Sequence, residues 1–388
     1  MNGQGVFTWS EGNRYEGNWK DGKEYGDGIL YFANGRKYEG NWINGLMNGH
    51  GILTLPNRDR YDGDWKNGKR HGHGTLDFAD GRKYEGNWIN GLMNGHGIFT
   101  WPNHDRYDGD WKNDKRHGHG TLDLADGRKY VGTWMNGMIN RRGVFTWPNH
   151  DRYNGDWKDR RMHGFGFMNF ADGRTYIGSW ANGMMTGHGI LTWPNNDRYE
   201  GDWKNNEKDG HGSMNFTDGR KYVGSWVNGM TNGHGILTWP NNDRYEGDWK
   251  DNKRYGHGSM NFADGRKYVG SWINDTMNGN GVLTWPNHDR YEGDWKDGKR
   301  HGHGSMNFAN GTNYVGNWIN NIMSDDRVFP PLDDDRPKKT ITEGIFHHQG
   351  TTNSTHDEKE DGKSIDNEED SEEIGGGLAW RLLKKIIN

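Results

Sequence analysis

The stretch RYDGDWKNGKRHGHGTLDFADGR, residues 60–82, decides the fold. Its first part places Tyr61, Gly63 and Trp65 at alternate positions, and an Asn-Gly pair follows at residues 67–68. Because side chains alternate between the two faces of a β-strand, the three residues share one face. Asn-Gly accepts the positive φ angles of a two-residue turn. The stretch therefore predicts a β-hairpin.

The same pattern fills most of the chain. The tyrosine recurs every 23 residues fourteen times, from Tyr15 to Tyr314, and the next unit carries Tyr84, Gly86 and Trp88. A fixed period predicts an array of one small unit in which each copy contacts its neighbours. We expect an all-β fold, an elongated array of stacked antiparallel β-hairpins, in which aromatic rings cover the strand glycines.

Composition excludes several classes of protein. The 388 residues include 63 glycines and 21 tryptophans, and a chain so rich in tryptophan is expected to fold. With no cysteine, neither a disulfide nor a thiolate zinc site nor a cysteine nucleophile is available. We find neither an apolar signal core near Met1 nor a stretch of roughly 18 apolar residues. These observations predict a soluble, cytoplasmic protein.

Charge divides the chain into an array and a tail. Residues 1–323 hold 40 Lys and Arg against 38 Asp and Glu, whereas residues 324–388 hold 9 against 16. The near-neutral array lacks the single-sign field of a nucleic-acid-binding protein, so no nucleic-acid partner is expected.

Two different segments make up the tail. We predict that residues 324–374 are disordered, because residues 357–373 contain ten acids and few apolar side chains. Residues 375–388 form a short basic segment in which Leu378, Leu382 and Ile386 fall on one helical face. The second segment is predicted to be a short amphipathic helix or a frayed end.

The motif Tyr-Glu-Gly-Asn-Trp-x-x-Gly, followed by Gly-x-Gly, resembles the MORN repeat over residues 1–323. The resemblance implies a twisted β-hairpin array. It also implies a scaffold for protein–protein interactions at the cytoskeleton or at membrane-associated structures, with self-association in some members and lipid-headgroup binding as a weaker expectation. The chain departs from the motif at Arg141-Arg142-Gly143, where Arg141 replaces the first glycine of Gly-x-Gly, and at Asp325 and Arg327, which replace both glycines.

No arrangement of residues indicates catalysis. Histidine pairs such as His71 and His73, of which the second lies in the middle of Gly-x-Gly, could supply two metal ligands. Equivalent positions in successive hairpins lie two strands apart, about 9–10 Å, which is too far to complete one site. The carboxylates recur in every unit, unlike the single pair of a catalytic pocket. We predict no catalytic, cofactor or metal site, and therefore no enzyme and no cofactor.

One region breaks the regular pattern and is the candidate binding site. Basic residues cluster there, and two phenylalanines replace small or polar residues. The set consists of Arg141, Arg142, Lys158, Arg160, Arg161, Phe165 and Phe167. Such a patch would bind an anionic headgroup or an acidic peptide; simple drift of the repeats is the alternative interpretation.

These observations favour a non-enzymatic scaffold or adaptor for other proteins, associated with the cytoskeleton. The alternatives are a peripheral membrane adaptor that binds anionic phospholipid headgroups and a structural component of cilia or axonemes. The corresponding locations are the cytoskeleton, the inner face of a membrane and the cilium.

Overall fold

The computed structural model describes residues 1–324 and 328–329, which form thirty β-strands and no helix. The predicted all-β fold of antiparallel hairpins is confirmed. Apart from Ser324 and residues 328–329, the predicted disordered tail and the predicted amphipathic segment 375–388 lie outside the described residues. The boundary at residues 323/324 stays a prediction. Within residues 1–324 no helix is long and apolar enough to cross a membrane.

The strands fall into two units, Met1–Glu207 and the part that begins at Lys208. In the first unit each strand pairs antiparallel with the next in sequence: β1 Gly3–Thr8, β2 Arg14–Lys20, β3 Lys23–Tyr31, β4 Lys37–Ile43, β5 Leu46–Thr54, β6 Arg60–Lys66, β7 Lys69–Asp77, β8 Lys83–Ile89, β9 Leu92–Thr100, β10 Arg106–Lys112, β11 Lys115–Asp123, β12 Lys129–Met135, β13 Met138–Thr146, β14 Arg152–Lys158, β15 Arg161–Asn169, β16 Thr175–Ala181, β17 Met184–Thr192 and β18 Arg198–Lys204.

The second unit continues the same pattern. Its strands are β19 Glu207–Asn215, β20 Lys221–Val227, β21 Met230–Thr238, β22 Arg244–Lys250, β23 Lys253–Asn261, β24 Lys267–Ile273, β25 Thr276–Thr284, β26 Arg290–Lys296, β27 Lys299–Asn307, β28 Asn313–Ile319, β29 Ile322–Met323 and β30 Val328–Phe329. Strand β28 pairs on one side with β27 and on the other with the two short strands β29 and β30.

Each hairpin is closed by the predicted turn. The φ angle of Asn67 is 51° and that of Gly68 is 76°. Both residues therefore adopt the left-handed conformation of a type I′ turn. Across the hairpin, Gly63 lies opposite Gly74, and the register shifts between Gly63 and Trp65. Gly72, with φ of 70°, lies opposite this bulge. The bulge explains why the second strand of each hairpin is longer than the first.

The core is a column of tyrosine rings seated on glycines. Tyr61 is 2% exposed, and a Cβ atom added to Gly74 would lie 2.3 Å from the Tyr61 hydroxyl oxygen. The hydroxyl donates a hydrogen bond to the carbonyl oxygen of Asp64 at 3.0 Å. Only glycine leaves room for the ring, which confirms that rings cover the strand glycines.

Tryptophans link one 23-residue repeat to the next. Trp65 donates from Nε1 to the carbonyl oxygen of Gly51, 2.9 Å away in the preceding unit. The Tyr61 ring packs edge-on against Trp65 at 5.2 Å and against Trp88 of the following unit at 5.4 Å. The guanidinium of Arg70 lies 4.1 Å from the Trp88 ring centre. Each aromatic ring is therefore buried partly by its own repeat and partly by the neighbouring repeat, as expected for a repeat array.

The buried tyrosines predict alkaline unfolding. Burial, with smaller effects of nearby carboxylates, raises the pKa of Tyr15 and Tyr291 to about 12. The unfolded value is about 10, so the folded chain holds these protons more tightly. Stability is then fully present below pH 10 and is lost as pH rises from about 10 to 12. Urea midpoints measured from pH 8 to pH 11.5 should fall steeply above pH 10.

A matched variant isolates the tyrosine contribution. Burial also raises the pKa of Tyr245, and Tyr245→Phe removes this titrating group. The variant should be less stable at pH 8, because it lacks the Tyr245 hydroxyl that donates to the Asp248 carbonyl oxygen at 2.9 Å. Its stability should fall less steeply at high pH, by the contribution of about one proton. Urea midpoints that stay constant to pH 11.5 would contradict this account.

Candidate interaction surface

Every hairpin has an inner face and an outer face. The inner face carries the Tyr, Gly and Trp side chains described above. The intervening residues, for example Asp62 and Lys66 of β6, point to the opposite side, which we call the outer face. Because the inner face is filled by rings, the outer face is the surface that distinguishes one unit from another.

Acidic residues recur along the outer face of the first five 23-residue repeats, those of Tyr15 to Tyr107. One row of directly opposed residues joins Ile52 to Asp62 and, further on, Glu85 to Ile98 and Ile98 to Asp108. Asp62 accepts from Arg60 at 2.8 Å and lies 3.2 Å from His50. These contacts make a solvated, charge-paired surface in which each ion pair contributes little to stability.

The row loses its acids in the middle of the first unit. From Asp108 it continues, each residue opposite the next, through Thr121, Val131, Val144, Asn154, Phe167, Ile177 and Ile190 before it reaches Glu200. Seven successive strands, β11 to β17, therefore present no carboxylate in this row. Val131 and Asn154 stand where the earlier units place Glu85 and Asp108.

An apolar area results, which we call the central patch. Phe165 precedes Phe167 by two residues on β15 and belongs to the same face. Phe165 is 58% exposed, Val131 43% and Ile177 39%. The central patch consists of Val131, Val144, Phe165, Phe167, Ile177 and Ile190.

Part of the predicted basic set adjoins this patch. Arg142 lies opposite Asp156, and the backbone N–H of Phe165 donates to Asp156 Oδ2 at 3.3 Å. Lys158, two residues beyond Asp156 on the same face, lies opposite Arg161. The structure thus brings three of the predicted cations and both phenylalanines onto one face, with a carboxylate among them.

The other two predicted cations occupy special backbone positions. Arg160 has φ of 65° in the β14–β15 turn, and Arg141 has φ of 58° opposite Trp157. Burial lowers the pKa of Arg116, and the positive charge of Arg160 lowers it further. Arg116 lies over the ring of Trp134, an inner-face residue, at 4.3 Å. The charge of Arg160 therefore influences a group on the inner face.

Sequence reasoning missed the four aliphatic members of the central patch. A signal was available, because the residue after the repeat tyrosine is acidic through Asp108 and becomes apolar at Val131 and Ile177. That change follows from the sequence alone. The joining of these positions to Phe167, however, depends on the strand register.

No metal centre is indicated in the part of the chain that the structure describes, where no group of three His, Cys, Asp or Glu side chains is arranged around a common point. The Gly-x-Gly histidines approach one carboxylate, as in His96 and Asp108 at 3.1 Å, or at most two, as in His188 with Glu200 and Asp202, each at 3.9 Å. Gly72, with its positive φ, separates His71 from His73 at the bulge.

An array of near-identical hairpins that share one column of rings defines a tandem β-hairpin repeat protein. A sequence profile described as the MORN repeat matches fourteen times, and the chain belongs to the MORN repeat family. The matched residues are 1–14, 15–35, 38–60, 61–81, 84–106, 107–127, 130–152, 153–173, 176–198, 199–219, 222–244, 245–265, 268–290 and 291–313. The predicted resemblance is confirmed; the matches include the partial unit 1–14 and end before Tyr314. A comparison with curated proteins finds no match.

Solved structures show only weak similarity. The TCP10 domain of Danio rerio CPAP in complex with a STIL peptide has a TM-score of 0.27 and 11% identity, with 58% of this chain and 91% of that chain covered. The SAS-4 (dCPAP) TCP domain of Drosophila melanogaster, in complex with a proline-rich motif of Ana2, has a TM-score of 0.27 and 10% identity, with 45% and 88% covered. These values establish neither the fold nor the function of this chain.

Proposed function

We propose that this chain is a non-enzymatic scaffold that holds a protein partner on the central patch of its outer face. MORN repeats are generally modules that bind proteins or membranes, and the family is a non-enzymatic repeat module. The observation that supports the protein-binding role is the replacement of acids by exposed apolar side chains over β11 to β17.

The energetics favour a partner with an apolar surface. Contiguous exposed apolar area on a folded chain is a usual mark of an interaction site. Complete burial of one large apolar side chain stabilises a complex by about 1.5–3 kcal/mol. Arg142 and Asp156 at the border can add paired polar contacts, as the rim of a protein interface does.

Paired substitutions test the proposal. Phe167→Ser with Ile177→Ser removes two directly opposed members of the central patch and should weaken capture of partner proteins at least about tenfold, the effect of losing about 1.4 kcal/mol. The matched control is Val269→Ser with Val282→Ser, a directly opposed pair in the corresponding row of the second unit. Captured proteins quantified by mass spectrometry should fall only with the first pair. Equal capture by the two variants would overturn the proposal.

An anionic-lipid adaptor is the second candidate, and the adjacency of Arg142, Lys158 and Arg161 on the outer face supports it. It requires salt-sensitive binding to anionic vesicles, because headgroup attraction is screened within about 8 Å at physiological salt. The variant with Arg141, Arg142, Arg160 and Arg161 changed to Ser should then lose that binding. Asp156 lies among these cations and opposes lipid binding, so we expect weak vesicle binding that the four changes do not alter.

A cytoskeletal or ciliary position for the scaffold is a further proposal that rests on the family resemblance. Fluorescence microscopy of the tagged chain in its own cells tests it.

A further inference from the structure

A third feature of the outer face is a row of residue pairs at the hairpin ends. In each pair the last residue of one strand lies directly opposite the first residue of the next. In the second unit basic pairs alternate with apolar pairs and one mixed pair, Ile273–Thr276: Val227 with Met230, Lys250 with Lys253, Ile273 with Thr276, Lys296 with Lys299, and Ile319 with Ile322. We call these ten residues the hairpin-end row.

The basic pairs have no evident role in folding. Like charges directly opposite each other on adjacent strands are destabilising, yet Lys250 opposes Lys253 and, two repeats later, Lys296 opposes Lys299. None of the four lysines makes an ion pair with a carboxylate of the described residues, although Lys250 lies 5.3 Å from the ring centre of Tyr255.

The carboxylates two residues before Lys250 and Lys296, on the same strand face, already accept hydrogen bonds. Asp248 Oδ2 accepts a hydrogen bond from the backbone N–H of His257 at 3.1 Å, and Asp294 Oδ2 accepts one from His303 at 2.9 Å. These bonds hold the bulge of each hairpin. The turn residues Asp251 and Asp297 are adjacent to Lys250 and Lys296 in sequence but form no ion pair with them. The ammonium groups therefore face solvent and are open to an anionic ligand.

The apolar pairs are exposed as well. Ile319 is 56% exposed, Ile322 71% and Val227 46%. The two basic pairs lie four strands apart, about 19 Å, and the mixed pair Ile273–Thr276 lies midway between them. A complementary ligand must therefore be linear, acidic and supplied with apolar side chains.

We propose that the acidic C-terminal part of this same chain docks on the hairpin-end row of the second unit. Residues 357–373 supply ten acids against two lysines. Beyond them, Leu378, Leu382 and Ile386 supply apolar side chains for pairs such as Val227 and Met230. The acids complement the two basic pairs, and the apolar side chains that follow them complement the apolar pair Val227–Met230, which lies beyond both basic pairs.

The connecting chain is long enough to reach. Phe329 pairs with Asn313, at the end of β28 away from the row, so the tail must cross about 20 Å along the strand. Lys296 lies two strands from β28 and Lys250 six strands, about 10 Å and 29 Å sideways. The 28 residues from Phe329 to Asp357 span about 29 Å as a flexible coil and more than three times that when extended.

The absence of cysteine permits a direct test in the full chain. Val315→Cys and Gly376→Cys, labelled with a donor and an acceptor dye, report the distance from the tail to the second unit. Energy transfer should be high at about 0.05 M salt and fall at least about twofold at about 1 M, where the Debye length is about 3 Å. It should fall similarly when Lys250, Lys253, Lys296 and Lys299 are changed to Gln.

The matched control makes the same change of charge in the first unit. Lys66, Lys69, Lys112 and Lys115 form two like pairs, and their replacement by Gln should leave the transfer unchanged. Circular dichroism checks that both variants fold. Equal transfer in the two quadruple variants would overturn the proposal. Transfer that rises with protein concentration would also overturn it, because the tail would then dock on a second copy.

Discussion

Trp203→Ala is expected to destabilise the first unit by about 3–5 kcal/mol, the usual cost of deleting a buried large aromatic side chain. Trp203 is 5% exposed and donates from Nε1 to the carbonyl oxygen of Gly189 at 3.1 Å. Its ring packs edge-on against Tyr176 at 5.5 Å and Tyr199 at 5.2 Å. The change therefore opens a cavity at the contact between two neighbouring 23-residue repeats of the first unit. Urea unfolding followed by circular dichroism measures the loss.

Phe165→Ala is the matched control for this prediction. It also removes an aromatic ring, but Phe165 lies on the outer face and is 58% exposed. Its stability should change by less than about 1 kcal/mol, as for an exposed site. If the two variants lost equal stability, the inner-face column would not be the core.

Gly224→Ala should be nearly as damaging, at about 3–5 kcal/mol, although it adds one methyl group. A Cβ atom at Gly224 would lie 2.5 Å from both the Gly235 Cα atom and the Tyr222 hydroxyl oxygen. The methyl group fits only if the Gly235 strand moves away and the Tyr222 ring leaves its slot, and together these changes cost about as much as losing a buried ring.

Two further variants make this prediction specific. Gly229→Ala meets no atom within 4 Å, and its cost is limited to the positive φ of 81°, about 1–2 kcal/mol. The double variant Gly224→Ala with Tyr222→Ala should lose less stability than the sum of the two single losses, because the clash with the ring is gone and only the clash with the Gly235 backbone remains. Additive losses in the double variant would show that the ring does not occupy the glycine slot.

The strict frame made the hairpins and their core predictable. Because Tyr61, Gly63 and Trp65 recur at fixed spacing, the alternation of strand faces assigns them to one side, and Asn67-Gly68 locates the turn. Burial of the rings on the glycines follows, because each glycine leaves a slot on that face that a tyrosine ring fills, while aliphatic residues such as Leu76 complete the core.

The central patch could not be predicted because it depends on register. Phe167 meets Ile177 on one side and Asn154 on the other, and these pairings follow the bulge that inserts extra residues in the second strand of each hairpin. Simple alternation does not reveal that bulge. Likewise, the basic set looked contiguous in sequence, but Arg160 occupies a left-handed turn position and acts near Arg116.

Site-specific photo-crosslinking tests the central claim, that protein partners bind at the central patch, most directly. A photoreactive phenylalanine analogue replaces Phe165 in one sample and Val315, an outer-face residue of the second unit that is 47% exposed, in another. After irradiation in extracts of the cells that make the protein, we predict discrete protein adducts from position 165 that are lost when Ile177 and Ile190 are changed to Ser. No adducts at position 165, or the same adducts from both positions, would contradict the account.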